Sequence, residues 1–202
     1  MSETEQARAK KFQFDKDRRL FAISHAALRS ILSRYLHTAP ARLEFAAGPN
    51  GKPGFAGDSC GDLCFNLSHS GTSALIAVTL KREIGSDIEL IKKDFVFVEI
   101  AEHFFTNREV AALRALPDSL QRQAFYQCWT SKEAFLKAKG TGLSGTLDEV
   151  EITLDKNQSV RILANVSGWS LIELPPLTDY ASAVAIEGSP LPVNCYRWVV
   201  PA

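Results

Sequence analysis

Apolar residues recur at steps of three and four along residues 24–36, which predicts an amphipathic helix. Ser24 is a candidate N-cap for this helix, and Pro40 lies beyond its end. The next stretch, residues 46–61, is rich in glycine and proline and predicts an irregular loop. The apolar positions of the helix are Ala27, Leu28, Ile31, Leu32, Tyr35 and Leu36.

Two strand-like segments follow at residues 73–80 and 83–90, and the short polar turn between them predicts an antiparallel hairpin. Side chains alternate between the two faces of a strand. In the second segment this alternation puts Gly85, Asp87 and Glu89 on one face. We expect the other face, which carries Ile84 and Ile88, to point into the core.

The second part of the chain begins with helices and ends with strands. Thr106 and Glu109 form a T-x-x-E capping box, which predicts a helix that stops before Pro117. A further helix is predicted from about Gln121 to Lys139. Short strands are predicted at 149–154, 159–163, 169–174, 180–186 and 195–200. Residues 73–78 resemble 180–186, which hints at a duplicated unit, and we place the boundary so that the halves are 1–93 and 94–202.

Composition predicts an ordinary globular protein with a sizeable core, because 46% of the 202 residues are hydrophobic. The 23 basic and 23 acidic residues balance, so no net charge favours nucleic acid or an acidic membrane as a partner. No secretory signal and no apolar run of about 20 residues is visible. We therefore expect a cytoplasmic protein whose four cysteines are free thiols.

Residues 128–145, CWTSKEAFLKAKGTGLSG, contain two overlapping patterns. Gly140, Gly142 and Gly145 spell GxGxxG, but a dinucleotide loop requires a strand before the glycines and a helix after them. Here a predicted helix comes first, so Gly140 is interpreted as its C-cap. Within that helix Glu133 and Lys137 lie one turn apart on the flank of the apolar face. Alone, such a pair is compatible with an exposed ion pair.

Two further motifs favour a functional role for the pair of Glu133 and Lys137. Asp87 and Glu89 have Cα atoms roughly 6.5 Å apart on a strand, close enough to bracket one cation, and their oxygens suit Mg²⁺ or Mn²⁺. The alternative is a solvated strand face. Ser68, His69 and Ser70 with nearby Asn66 and Gly71 form a predicted loop whose donors could bind an anion, although a single loop histidine is also compatible with an ordinary surface residue.

These motifs together resemble the 4′-phosphopantetheinyl transferases, in the large surfactin-synthetase-activating (Sfp-type) group. The resemblance covers about residues 51 to 145, in order and spacing. It implies an α+β protein of two similar α/β halves with the active site in the cleft between them. The matching segments are 51–53 (GKP), 65–70 (FNLSHS), 84–89 (IGSDIE), 129–137 (WTSKEAFLK), and the glycines with Leu143 that follow.

The resemblance also implies an activity and a set of site residues. The phosphopantetheine arm of coenzyme A passes to a serine of an apo acyl or peptidyl carrier protein, and 3′,5′-ADP is released. The family's metal carboxylates match Asp87, Glu89 and Glu133, and its catalytic lysine matches Lys137. Glu133 is also expected to help deprotonate the serine. Coenzyme A contacts are expected from Arg19, Lys52, Ser68, His69 and Lys137. A monomer is expected, because two halves in one chain make their own cleft.

Three alternatives remain at this level. The chain could be a catalytically silent coenzyme A or nucleotide-binding module on the same fold. It could be an unrelated α+β interaction protein whose acids are merely solvated. Asp118-Ser119-Leu120 also imitates the attachment site of a carrier protein, but carriers are short acidic helical bundles, whereas this chain is neutral and of mixed pattern.

Overall fold

The computed structural model describes residues 1–48, 50–57, 61–142, 147, 150–153 and 167–199. The fold combines helices with antiparallel strands, which confirms the predicted α+β class. No helix in these residues is long and apolar enough to cross a membrane. The helices are α1 (Glu3–Ala9), α2 (Asp15–Leu36), α3 (Val98–Phe104), α4 (Asn107–Arg114) and α5 (Asp118–Lys139).

The strands form three small antiparallel sheets. Their bounds are β1 (Phe45–Ala47), β2 (Pro53–Phe55), β3 (Leu63–Ser70), β4 (Ser73–Leu80), β5 (Ile84–Leu90), β6 (Trp169–Glu173) and β7 (Tyr180–Glu187). Strand β1 pairs with β2, β3 pairs with β4, and the third sheet has the order β5-β7-β6. Part of the predicted loop at 46–61 is therefore the short β1–β2 hairpin, and that prediction is wrong for residues 46–47 and 53–55.

Each larger sheet lies next to a 22-residue helix. Helix α2 packs Leu28 and Leu32 against Leu63 and Phe65 of β3. This helix begins at Asp15, nine residues before the predicted start. Ser24 is not its N-cap, because its hydroxyl lies inside the helix and donates to the Phe21 carbonyl. Before Ser24, Phe21 is the one buried residue of this helix, so the apolar repeat that predicts the helix is weak at its start.

Helix α5 forms the centre of the second core, which also contains residues from α3, α4 and β7. It begins at Asp118, three residues earlier than predicted, and ends at Lys139 as predicted. Gly140 has φ 68° and its N–H bonds to the Leu136 carbonyl, which confirms it as the C-cap. The capping box of Thr106 and Glu109 is also confirmed at the start of α4.

The predicted hairpin of residues 73–80 and 83–90 is wrong. Both segments are strands, but β4 pairs with β3 and β5 pairs with β7, with Ile84 opposite Ile186. Residues 66–70, predicted as a loop, belong to the strand β3. Alternation within one segment cannot show which distant strand completes its hydrogen bonds, so the pairing was not visible in the sequence.

The predicted strands near the C-terminus are partly confirmed. Strands β6 and β7 occur at 169–173 and 180–187. Residues 150–153 and 195–199 form no strand, so the predictions of 149–154 and 195–200 are wrong for these described parts. The predicted strand at 159–163, and Leu143 and Gly145 of the glycine pattern, lie outside the described residues.

Candidate active site

Strand β5 brings its acidic residues against helix α5. A Cβ atom on Gly85 would lie 2.1 Å from the Ala134 carbonyl oxygen and 2.2 Å from the Ala138 nitrogen. Only glycine permits the backbones of strand and helix to approach so closely. The face that carries Gly85 and Asp87 is therefore buried against the helix, and Asp87 is only 2% exposed. The expected inward face is confirmed, because Ile84 and Ile88 are buried, and the structure shows that the face with Asp87 is covered as well.

Lys137 reaches from α5 to the Asp87 carboxylate. Its Nζ lies 2.5 Å from Asp87 Oδ1 and 3.2 Å from Ser68 Oγ. The Ser68 hydroxyl in turn donates to the same Oδ1 at 2.8 Å. Residues from β3, β5 and α5 thus meet at one carboxylate oxygen. The structure brings together these three predicted residues although 69 positions separate Ser68 from Lys137.

Glu89 and Glu133 lie within electrostatic reach of the same carboxylate. Burial and then the charge of Asp87 raise the pKa of Glu133, while Lys137 acts in the opposite direction. Burial also raises the pKa of Glu89, the hydrogen bond from Ser70 opposes the rise, and Asp87 adds to it. Three acidic side chains from two elements therefore repel one another around a single region, as they do where a cation is shared.

The carboxylates meet one structural test for a divalent cation. Asp87 Oδ2 is buried and has no hydrogen-bond partner in the described part of the chain, and such an oxygen is costly unless a donor or cation satisfies it. In this arrangement, no group of three His, Cys, Asp or Glu side chains among the described residues could hold a metal ion. The Lys137 ammonium neutralises Asp87 through its other oxygen. The residue types fit Mg²⁺, which needs only one or two protein carboxylates.

His69 lies at the cationic side of the site. Partial burial, followed by the charges of Lys137 and Arg8, lowers the pKa of its imidazole, and Asp17 opposes this. Arg8 was missed by the sequence analysis because helix α1 was not predicted. The signal was present, since Ser2 and Glu5 form the same kind of capping box as Thr106 and Glu109. The charges of Arg8 and Lys137 thus both act on this imidazole.

Lys52 and Arg19 are not in contact with the carboxylates in the described structure. Lys52 Nζ donates to the Ala138 carbonyl at 2.8 Å and lies 2.6 Å from Glu83 Oε2. The nearby Asn50 side chain donates to the Gly140 carbonyl at 2.8 Å. These bonds attach the loop between β1 and β2 to the C-terminal end of α5. Arg19 lies on α2 with an exposed side chain.

Lys132, in the same helix as Glu133, faces away from the site. It is fully buried with Glu109, and its Nζ lies 2.9 Å from Glu109 Oε1. The ammonium also donates to the carbonyls of Leu147 and Val150. Neither the charge nor the spacing of Lys132 distinguished it from a catalytic lysine. Its position on the apolar face of α5, which the 3.6-residue period did show, agrees with a structural role.

Two family models match consecutive parts of the chain. The model described as 4′-phosphopantetheinyl transferase superfamily matches residues 83–185, which include β5, α5 and the acidic residues. The model described as 4′-phosphopantetheinyl transferase, N-terminal, matches residues 1–81. The two matches meet beside the start of β5, where the β3–β4 hairpin gives way to the sheet that carries Asp87.

Curated relatives carry the same name. The transferase HetI of Nostoc is 40% identical over 93% of this chain and 79% of its own length. A putative 4′-phosphopantetheinyl transferase of Synechocystis is 36% identical over 90% and 75%. The transferase Sfp of Bacillus subtilis is 31% identical over 80% and 70%. The chain therefore belongs to the 4′-phosphopantetheinyl transferase superfamily, and its activity is the transfer of a 4′-phosphopantetheine group.

Proposed function

We propose that this transferase moves the 4′-phosphopantetheine arm of coenzyme A to a serine of an apo acyl or peptidyl carrier protein, with Mg²⁺ held by Asp87, Glu89 and Glu133. Mn²⁺ fits the same oxygen ligands. The observation that carries the proposal is the buried Oδ2 of Asp87, which has no hydrogen-bond partner among the described residues, near two carboxyls whose pKa values are raised. A bound divalent cation neutralises charge on the phosphate oxygens and orients the diphosphate.

Glu133 is the proposed proton acceptor. The serine oxygen forms a bond to the phosphorus that bears the pantetheine arm, and the bond from that phosphorus to the bridging oxygen of 3′,5′-ADP breaks. The serine proton passes to Glu133, directly or through a water molecule. Burial that raises the pKa of Glu133 makes this carboxylate a better base than an exposed one.

Lys137 is proposed to donate to the departing phosphate of ADP. Its ammonium lies at 2.5 Å from Asp87 and its side chain is 33% exposed, so it borders both the carboxylates and the open side of the site. A cation there stabilises the negative charge that develops on the leaving oxygen. The same contact makes Lys137 a coenzyme A-binding residue.

The remaining phosphate contacts are proposed on the cationic side. His69 is expected to bind a coenzyme A phosphate through an imidazole N–H, and Arg8 is proposed as an additional cation there, because its charge acts on the same imidazole. Ser68 Oγ lies 3.2 Å from Lys137 Nζ, and Ser68 is also proposed as a coenzyme A contact. Arg19 and Lys52 stay predictions for coenzyme A contacts, and the ion pair of Lys52 with Glu83 must open for that role.

We also propose that the protein is of the Sfp type and acts as a monomer. The order of the GKP, FNLSHS, IGSDIE and WTSKEAFLK segments supports the first part, together with the 31% identity to Sfp. A monomer is supported because β3, β5 and α5 of one chain supply the carboxylates, the serines and the lysine. The division into residues 1–93 and 94–202 is kept as a proposal for the two halves.

The test is transfer to a panel of apo acyl and peptidyl carriers, measured by mass spectrometry as the gain of one phosphopantetheine. Changing Glu133→Gln should reduce the rate at least about a hundredfold, because general base catalysis contributes that much. The matched control is Glu99→Gln on α3, where the side chain is exposed, and its rate should equal that of the wild type. Near-normal transfer by Glu133→Gln, with an unchanged circular dichroism spectrum, would refute the proposed base.

A further inference from the structure

Strand β5 has a second edge that no strand pairs with by its backbone in the described sheets. Its first edge is bonded to β7. On the second edge three backbone amides of β5 donate to side-chain oxygens of β3, at intervals of two residues. The bonds are Ser86 N to Asn66 Oδ1 at 2.9 Å, Ile88 N to Ser68 Oγ at 3.4 Å, and Leu90 N to Ser70 Oγ at 3.1 Å.

These three side chains form what we call the side-chain seam, defined as Asn66, Ser68 and Ser70. Residues two apart point to the same side of a strand, so one face of β3 supplies all three acceptors. The seam joins the β3–β4 sheet to the β5-β7-β6 sheet. It takes the place of a backbone hydrogen-bond ladder. Without these side-chain oxygens, the buried amides of β5 would lack partners.

Each of the two serines also donates a hydrogen bond to a carboxylate, which Asn66 does not do. A hydroxyl has one proton to donate and lone pairs to accept with. Ser70 accepts from the Leu90 amide and donates its proton to Glu89 Oε2 at 2.7 Å. Ser68 repeats the arrangement with the Ile88 amide and Asp87 Oδ1. Each serine is therefore bonded at once to a β5 amide and to the carboxylate of the residue just before it.

Glu89 depends on this arrangement more than Asp87 does. Asp87 is nearly fully buried and also bonded to Lys137. Glu89 has a longer side chain and is only partly buried. Within the described part of the chain, Ser70 Oγ is the one group hydrogen-bonded to the Glu89 carboxylate. Because Ser70 Oγ accepts from the Leu90 amide, its proton is directed to Glu89. This hydrogen bond restricts the rotamers of the Glu89 side chain.

We propose that Ser70 is a positioning residue that orients Glu89 for cation binding. The inference rests on the proposed function of Glu89 as a cation ligand. Ser70 acts through Glu89 and does not itself touch substrate. Removing a group that hydrogen-bonds a ligating carboxylate typically lowers metal affinity about 10- to 100-fold.

The experiment compares Ser70→Ala, Ser70→Thr, Asn66→Ser and Glu89→Gln in the full-length protein. Two readouts are used: the Mn²⁺ concentration that gives half of the maximal thermal shift, and the Mg²⁺ concentration that gives half-maximal carrier modification. Ser70→Ala should raise both midpoints about tenfold or more, with most of the maximal rate recovered at saturating Mg²⁺. Ser70→Thr keeps a hydroxyl and should restore both midpoints.

Asn66→Ser is the control for the seam alone. It withdraws the oxygen that accepts from the Ser86 amide and touches no carboxylate, so it should lower the melting temperature and leave the Mn²⁺ midpoint unchanged. The proposal is overturned if Ser70→Ala leaves both midpoints unchanged, or if Asn66→Ser moves them equally. Glu89→Gln distinguishes a failure of the assignment of Glu89 as a cation ligand from a failure of the proposal for Ser70. If it leaves Mn²⁺ binding intact, the assignment of Glu89 fails; if it weakens binding and Ser70→Ala does not, only Ser70 fails.

Discussion

At the scale of single residues, the two lysines of the helix segment 129–137 have opposite roles in the structure. Lys137 borders the carboxylates, whereas Lys132 is fully buried with Glu109 and holds the carbonyls of Leu147 and Val150. Glu109 in turn accepts from the Ile152 amide at 2.6 Å. The pair therefore holds the backbone of Leu147, Val150 and Ile152 against α5. Removing one partner leaves an uncompensated buried charge.

Lys132→Met is expected to lower the free energy of unfolding by about 3–5 kcal/mol, the usual cost of breaking a buried ion pair from one side. Urea denaturation followed by circular dichroism measures this. Lys93→Met, at an exposed position, is the matched control and should change stability by less than about 0.5 kcal/mol. A loss below about 1 kcal/mol for Lys132→Met would contradict the structural role.

At the scale of elements, the contact of β5 with α5 fixes how far the strand carboxylates lie from Glu133 and Lys137. Gly85→Ala would place a methyl carbon 2.1 Å from the Ala134 carbonyl oxygen, and both nearest atoms are backbone atoms that cannot rotate away. We expect a loss of about 3 kcal/mol or more in the free energy of unfolding, because the strand must move off the helix.

The same substitution should impair transfer beyond its effect on stability, since the strand that moves carries Asp87 and Glu89. The measurement is the rate of carrier modification at a temperature where the variant is still folded. Gly54→Ala is the control, because no atom of the described residues, apart from its chain neighbours, lies within 4 Å of an added Cβ there. Full activity of a folded Gly85→Ala protein would show that the spacing of β5 and α5 does not matter for transfer.

At the scale of the whole molecule, the proposed site depends on parts that are distant in the chain. The carboxylates come from β5 and α5, while β3 and α1 supply the hydroxyls and the basic side chains of His69 and Arg8. Coenzyme A and Mg²⁺ should therefore stabilise the folded chain together, because the diphosphate completes the oxygen ligands of the cation. A ligand at 100 times its dissociation constant adds about 2.7 kcal/mol.

The expected result is a larger rise in melting temperature with coenzyme A and Mg²⁺ together than the sum of the rises with each alone. Differential scanning fluorimetry measures it, with EDTA as the metal-free arm. Asp87→Asn should remove the extra rise while leaving any effect of coenzyme A alone. Equal stabilisation by coenzyme A in Mg²⁺ and in EDTA would argue against a shared cation.

Local chemistry explains which features were predictable. The capping box at Thr106, the C-cap at Gly140 and the apolar face of α5 depend on contacts within a few residues, and all three are confirmed. The acids and Lys137 were identified as a set because the order of four motifs resembles the family. The α1 capping box, with the same signal, was overlooked, and Arg8 was missed with it.

The sequence by itself determined the α+β class, the family and the residue types available for the chemistry, because these follow from local periodicity and from motif order. The tertiary structure alone decided that β5 pairs with β7, nearly a hundred residues away, and that its other edge is completed by serine and asparagine side chains. Strand pairing is non-local, because the backbone groups of one strand can bond to any free strand edge with a matching pattern of buried side chains, however distant in the chain. The contact of β3 with the other edge of β5 places Glu89 next to Ser70.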